Sequence, residues 1–172
     1  MFLYPNAYFE KVEDITIQFL IKNKIKALIL DVDNTLIDKT EKLSQDIIDW
    51  AKNLKGQGVK LYILSNTNRK KKVEKIAEKL EIPFHYFGMK PLKRGFNKVK
   101  KELKEESSRI AVVGDQIFTD IIGGNRSKMF TILVDPIAEK DIWITRIKRP
   151  IENAIKNKYK KLCQNNEGRG VW

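Results

Sequence analysis

The chain has 172 residues, a net charge of +12 at pH 7 and one cysteine, Cys163. This length suits a single domain with a buried sheet, and one cysteine excludes an intrachain disulfide, as is typical of a reducing cytoplasm. The amino terminus lacks the basic and apolar regions of a signal peptide and no apolar run can span a bilayer, so the sequence predicts a cytoplasmic protein, at most peripheral to a membrane.

The positive charge has two interpretations. It can attract anionic partners, which include phosphate esters, nucleic acid and acidic membrane surfaces. It can equally reflect lysines on solvated helix faces, where lysine favours helix formation and solubility. Lysines occur in every predicted helix, so charge alone does not select a partner.

Short apolar segments alternate with helical patterns along the chain. Residues 1–24 are predicted to form a helical lead-in. The predicted strands are 26–31, 59–64, 85–87, 110–114 and 131–134, separated by helices that begin near Ser44, Arg69, Gly95 and Phe118. This alternation predicts a doubly wound, mostly parallel, Rossmann-like α/β sheet with helices on both faces and the first predicted strand at its centre.

Residues beyond this sheet complete the predicted organisation. Residues 139–160 are predicted to form a basic helical segment, and 161–172 a disordered tail. No internal repeat or low-complexity linker interrupts the chain. The sequence therefore predicts one domain over residues 1–160.

Acidic and small polar residues follow the predicted strands, where ligands gather in this topology. In chain order they are Asp31, Asp33 and Thr35, then Ser65, Asn66 and Thr67, then Lys90, and finally Asp115 and Asp120. Carboxylates that converge on one edge repel each other unless a cation lies among them. Oxygen ligands without nitrogen or sulfur suit Mg²⁺, and a lysine with small hydroxyl or amide groups completes a phosphoryl-binding site.

The spacing of the first two aspartates suggests a division of chemical roles. One carboxylate of an Asp-x-Asp turn can attack phosphorus, while the other protonates the leaving oxygen and later deprotonates water. The alternative is that these aspartates are turn and helix-capping residues, which strand-to-helix loops favour. That alternative has most weight for Asp120, at a predicted helix start.

These motifs resemble those of the haloacid dehalogenase (HAD) superfamily. More closely, the chain resembles the YqeG-type family of subgroup IIIA, bacterial relatives of mitochondrial phosphatidylglycerophosphate phosphatases. Further similarity lies at Tyr4-Pro5, 12–15, 123–126 and 145–149, so that the resemblance covers about residues 3–152. It implies a HAD-like phosphatase, and the spacing between the motifs predicts that the fold has no large cap domain.

The resemblance also implies roles for individual residues. Asp31 would be the nucleophile and Asp33 the general acid/base, while Lys90 would neutralise developing charge. Mg²⁺ would be held by the Asp31 carboxylate, the Asp33 backbone carbonyl and the Asp115 side chain. Asp120 would contact the metal ion directly, or would act on it indirectly, as a neighbour of these ligands or through a water molecule.

Ser65, helped by the backbone at Asn66, would by the same resemblance bind the phosphoryl oxygens. The spacing between motifs leaves no room for a cap, so specificity must come from a large substrate or from a homo-oligomer that supplies the missing cover. The leading substrate is phosphatidylglycerophosphate at an anionic membrane. One alternative is a phosphatase acting on nucleic acid ends or on other large phosphorylated substrates, and nucleic acid is disfavoured because no aromatic cluster accompanies the basic residues. Another is a non-catalytic binding protein on the same fold.

Overall fold

A computed structural model describes residues 3–137 of the chain, together with Asn153 and Asn157. The predicted basic segment 139–160, apart from those two residues, and the predicted tail 161–172 lie outside the described residues. Among the residues described, no helix is both long and apolar enough to cross a bilayer.

Six strands and five α-helices make up the described fold. The strands are β1 (Ala7–Phe9), β2 (Ala27–Leu30), β3 (Lys60–Leu64), β4 (Phe84–His85), β5 (Ile110–Gly114) and β6 (Phe130–Val134). The helices are α1 (Ile17–Lys22), α2 (Gln45–Gly56), α3 (Lys70–Leu80), α4 (Lys93–Leu103) and α5 (Ile122–Arg126). Short 3₁₀ turns occupy Val12–Asp14 and Ser107–Arg109, and a π-helical turn occupies Ile117–Ile121.

The strands form one parallel sheet in the order β1-β6-β5-β2-β3-β4. β2 lies between β5 and β3, with Leu30 opposite Val113 on one side and Ile63 on the other. All four residues of β2 are buried. The predicted Rossmann-like sheet and the central position of its first predicted strand are thus confirmed.

Alternate residues of β2 face opposite sides of the sheet. Leu28 and Leu30 belong to a core that includes α2 and α3, while Ala27 and Ile29 belong to a core that includes Phe96 of α4. Because both faces are covered by helices, every residue of the strand is apolar, which is why its sequence reads as a continuous apolar run.

The start of α2 confirms the cap predicted at Ser44. The Ser44 hydroxyl accepts a hydrogen bond from the Ile47 amide at 3.3 Å, which satisfies one of the free donors of the first turn. Trp50 of the same helix is buried, and its indole N–H donates to the Ile15 carbonyl at 2.9 Å.

The predicted helical lead-in over residues 1–24 is wrong for Ala7–Phe9. These residues form an edge strand whose register pairs Ala7 with Ile132 and Phe9 with Val134 of β6. Three residues are too few for a period-2 pattern to distinguish a strand from other structures, and the partner strand is more than 120 residues away in sequence. Tertiary pairing therefore decides the conformation of this segment.

Candidate active site

The carboxyl end of β2 places Asp31 at the centre of the sheet edge. Its amide donates to the Val113 carbonyl of β5 at 3.0 Å, and the residue is only 6% exposed. The chain then turns sharply at Asn34, whose φ of 63° lies in the left-handed region that asparagine tolerates. The backbone N–H of Asn34 donates a hydrogen bond to the Ile37 carbonyl at 2.7 Å, which closes the turn.

Lys90 connects the carboxylates of two different strand ends. Its Nζ lies 2.6 Å from Asp31 Oδ1 and 2.7 Å from Asp120 Oδ1, and its side chain is 2% exposed. Both aspartates are also buried. Any one of these charges alone would be costly to bury, so the three stabilise one another as a group.

The electrostatics of this group are set by burial and by neighbouring charge. Burial lowers the pKa of Lys90, but the charges of Asp120 and Asp31 and their hydrogen bonds outweigh it, so the pKa is raised and the lysine stays cationic. Burial raises the pKa of Asp120 to about 6; Lys90 opposes this rise and the negative charge of Asp31 adds to it.

Three carboxylates form a candidate divalent-metal site. Oxygen atoms of Asp31, Asp115 and Asp120 lie within 4.8 Å of one another, and all three residues are buried. Hard oxygen donors at such spacing suit a divalent cation, and one lysine leaves the three negative charges incompletely balanced. The residues present therefore fit a divalent cation.

Gly114 explains how Asp120 reaches this group. A Cβ built at Gly114 would overlap the Asp120 carboxylate, so only glycine lets that side chain lie against the end of β5. Asp120 Oδ2 also accepts a hydrogen bond from the backbone N–H of Gln116 at 3.3 Å. Nearby, the Thr35 hydroxyl lies 3.5 Å from Asp115 Oδ1, which links the turn after β2 to the end of β5.

Ser65 and Asn66 follow β3 and differ in exposure and in contacts. Ser65 is 1% exposed, and its hydroxyl accepts from the Thr67 amide at 3.3 Å. Asn66 binds the backbone of Lys90 from both sides: its Nδ2 donates to the Lys90 carbonyl at 2.9 Å, and its Oδ1 accepts from the Lys90 amide at 2.7 Å. The sequence pointed to the backbone of Asn66, whereas the structure reveals that its side chain fixes Lys90.

Lys72, which contacts Asp33, is a candidate functional residue that sequence reasoning missed. Asp33 Oδ1 lies 2.5 Å from Lys72 Nζ, in the first turn of α3, and the side chains are 30% and 12% exposed, respectively. Lys72 lies in the run Arg69-Lys70-Lys71-Lys72, in which no pattern distinguishes it from its exposed neighbours. Only the packing of α3 beside the turn after β2 singles out this lysine.

The structure thus brings together four of the predicted site residues: Asp31, Lys90, Asp115 and Asp120. The side chain of Asp33 lies outside that carboxylate cluster and faces Lys72, and its predicted metal contact through the backbone carbonyl stays a prediction. Within residues 3–137, no inserted domain covers this edge, since only loops separate β2 from α2 and β3 from α3. A buried carboxylate paired with a cation, beside further oxygen ligands, can bind and transfer a phosphoryl group.

Comparisons with known proteins agree with this chemistry. Residues 1–138 match the family described as mitochondrial PGP phosphatase. The chain is also 36% identical over 155 residues to a Bacillus subtilis protein described as the probable phosphatase YqeG. The aligned region covers 90% of each chain.

Solved structures share the fold at lower identity. An uncharacterized protein from Listeria monocytogenes serotype 4b matches with a TM-score of 0.56 and 19% identity, over 69% of this chain and 85% of that one. The cobalt-bound form of the deoxy-D-mannose-octulosonate 8-phosphate phosphatase from Haemophilus influenzae matches with a TM-score of 0.53 and 17% identity, over 67% of this chain and 70% of that one. These two likenesses concern the fold.

Proposed function

From the premise that this chain belongs to the mitochondrial PGP phosphatase family and is a HAD-type phosphatase of the YqeG kind, we propose that it hydrolyses phosphomonoesters through a phosphoaspartyl intermediate on Asp31. The observation that carries this proposal is the placement of Lys90 Nζ, 2.6 Å from Asp31 and 2.7 Å from Asp120, at the end of the central strand. A buried cation at the nucleophile both orients that carboxylate and neutralises a phosphoryl group brought to it.

The proposed reaction proceeds in two displacements. The Asp31 carboxylate attacks phosphorus and forms an acyl phosphate, while the ester P–O bond breaks and the leaving alkoxide takes a proton from Asp33. Asp33 then removes a proton from water, which attacks the phosphorus of the intermediate. This second step releases inorganic phosphate and restores Asp31.

Other residues hold the reacting groups in place. Lys90 and the Ser65 hydroxyl bind phosphoryl oxygens, and Asn66 fixes the Lys90 backbone through its two hydrogen bonds. Asp120, whose Oδ1 bonds Lys90 and whose Oδ2 accepts from the Gln116 amide, orients the lysine. Lys72 positions Asp33.

Mg²⁺ is the proposed cofactor; Asp31, the Asp33 backbone carbonyl and Asp115 would hold it, and Asp120 would assist them. When bound, the ion offsets the negative charge of the phosphoryl group and of the aspartates. The buried carboxylate cluster supports this assignment. The cobalt named for the Haemophilus influenzae phosphatase adds support from the same fold.

A direct test uses p-nitrophenyl phosphate. Hydrolysis should require Mg²⁺, cease with a chelator, and fall about a thousandfold or more in Asp31→Asn, because an amide cannot act as the nucleophile. Asp49→Asn, in an exposed part of α2, is the matched control and should retain full activity. Equal rates in the wild type and in Asp31→Asn would overturn the assignment of the nucleophile.

Phosphatidylglycerophosphate is the proposed physiological substrate. The description of the family, the net charge of +12 and the absence of an inserted domain beside the site within residues 3–137 support it. Reaction would occur at the cytoplasmic face of an anionic membrane, and a homo-oligomer would supply the cover that residues 3–137 lack. Purified protein should hydrolyse the lipid with a kcat/KM well above those for nucleotide, sugar and 5′-phosphorylated DNA substrates; no such preference would refute the lipid assignment.

A further inference from the structure

Exposed apolar side chains are concentrated beside Lys90. In residues 3–137 the exposed large hydrophobic residues are Ile21, Phe87, Met89, Leu92 and Ile137. Phe87 is 57% exposed, Met89 36% and Leu92 50%. These three, named here the rim surface, lie within six consecutive positions that include Lys90.

The backbone alternates between this surface and the candidate active site. Phe87 and Met89 are exposed, whereas Gly88 and Lys90 between and after them are buried. The segment is held against the loop after β3, since the Phe87 amide donates to the Thr67 carbonyl at 2.9 Å. A partner that contacts Met89 is therefore adjacent to the lysine that binds Asp31.

The backbone conformation is unfavourable for two of the three residues of the rim surface. Phe87 has a φ of 52° and Met89 a φ of 51°, in the left-handed region that bulky side chains rarely adopt. Phe87 remains more than half exposed and Met89 remains 36% exposed, so burial of these side chains offsets the backbone cost only in part. Apolar residues kept exposed in a strained segment point to a contact made with another molecule.

Basic residues border the apolar ones. Lys93 and Arg94 directly follow Leu92 and are exposed. A surface cleft of about 470 Å³ is lined by Phe87 and Met89 together with Arg94 and Lys98. Apolar side chains that enter the acyl boundary, bordered by cations that meet anionic headgroups, are complementary to an acidic bilayer.

We propose that the rim surface is the site at which the protein docks on an anionic lipid bilayer. The proposal rests on the phosphatase function proposed above, because docking there presents the Asp31–Lys90 group to a phosphomonoester at the headgroup level. Phe87, Met89 and Leu92 enter the interface, while Lys93 and Arg94 bind anionic lipid.

The test compares vesicle binding by the full chain and by the triple variant Phe87→Asn, Met89→Asn, Leu92→Gln. Asparagine tolerates positive φ, so the first two changes remove apolar surface without adding backbone strain. Ile21→Gln is the matched control, because Ile21 is 68% exposed but lies in α1, which leads to the opposite, amino end of β2. Cosedimentation uses vesicles of equimolar phosphatidylcholine and phosphatidylglycerol, or of phosphatidylcholine alone.

Wild type and Ile21→Gln should bind the anionic vesicles, and the triple variant should bind at least about tenfold more weakly. Its hydrolysis of p-nitrophenyl phosphate should equal that of the wild type, which shows that the fold and the site are intact. Lys93→Gln with Arg94→Gln should weaken binding to anionic vesicles alone.

Equal vesicle binding by the triple variant and the wild type would overturn the proposal. The proposal would also be overturned if the wild type bound no vesicles and formed a concentration-dependent dimer that the triple variant did not form. In that case the rim surface would join two copies of the chain. Rim-dependent vesicle binding without preference for phosphatidylglycerophosphate would support the docking surface while refuting the proposed substrate.

Discussion

Lys72 Nζ lies 2.5 Å from Asp33 Oδ1, so the first turn of α3 holds the side chain proposed as general acid/base. Lys72 also lies 3.5 Å from Glu41, which pairs with Arg69 at 2.7 Å. The Lys72 side chain is only 12% exposed, whereas the Arg69 side chain is 63% exposed. Water therefore screens the Lys72–Asp33 ion pair less than the Arg69–Glu41 ion pair.

Replacing Lys72 with methionine should lower kcat for p-nitrophenyl phosphate roughly tenfold, because the Asp33 carboxylate loses the group that orients it. KM should change little, and Lys72→Arg should restore part of the rate. Lys71→Met is the matched control, since Lys71 is the exposed neighbour in the same helical turn. A uniform loss of thermal stability without a selective loss of kcat would indicate that Lys72 is merely structural.

The side chain of Asn66 should matter as much as its backbone. Asn66→Ala removes both hydrogen bonds to the Lys90 backbone and should reduce kcat/KM about ten- to a hundredfold. The free energy of unfolding should fall by about 1–2 kcal/mol. Steady-state kinetics and chemical denaturation measure the two effects, with Asn68→Ala in the same loop as control. Wild-type kinetics in Asn66→Ala would limit the residue to the backbone contact predicted from sequence.

Mg²⁺ should stabilise the folded protein through the carboxylate cluster. At a hundredfold excess over its Kd, a ligand that binds only the folded state adds about 2.7 kcal/mol to the free energy of unfolding. Thermal unfolding in Mg²⁺ and in chelator should therefore differ for the wild type and for Asp49→Asn. Asp115→Asn, which removes one of the three clustered carboxylates, should lose most of that difference. An equal Mg²⁺ shift in Asp115→Asn would exclude the cluster as the metal site.

Without metal, stability should fall as pH rises from about 4 to about 6. Burial raises the pKa of Asp120 to about 6, whereas an unfolded aspartate titrates near 3.9. In this window Asp120 keeps a proton in the folded state that it has released in the unfolded state. Its contribution to the free energy of unfolding is therefore full below the pKa of the unfolded state and is lost as the pH rises through the pKa of the folded state.

The measurement is urea denaturation in chelator at several pH values, for wild type and Asp120→Asn. The difference between their free energies of unfolding should change by roughly 1–3 kcal/mol across the window. The comparison removes the contribution of ionisable groups remote from Asp120, which both proteins share. A constant difference would show that Asp120 stays ionised in the folded protein.

Much of the fold could be predicted from local pattern. The central strand is recognisable because both of its faces are buried, and Ser44 because a hydroxyl before an apolar helical stripe satisfies free amides. The boundaries of β5 were predicted without error, since Gly114 and Asp115 end its apolar run. Edge strand β1 was missed, because three residues carry no period and depend wholly on β6.

The sequence by itself determined which chemistry the sheet edge holds: aspartates, a lysine and small polar residues, placed in the segments that follow the strands by local rules of burial and turns. Only the tertiary structure decided how these groups pair. It set Lys90 between Asp31 and Asp120, turned Asp33 towards Lys72 and bound Asn66 to the Lys90 backbone. Side-chain pairing depends on distances between segments that are remote along the chain, and crossovers and helix packing fix those distances, whereas residue spacing does not.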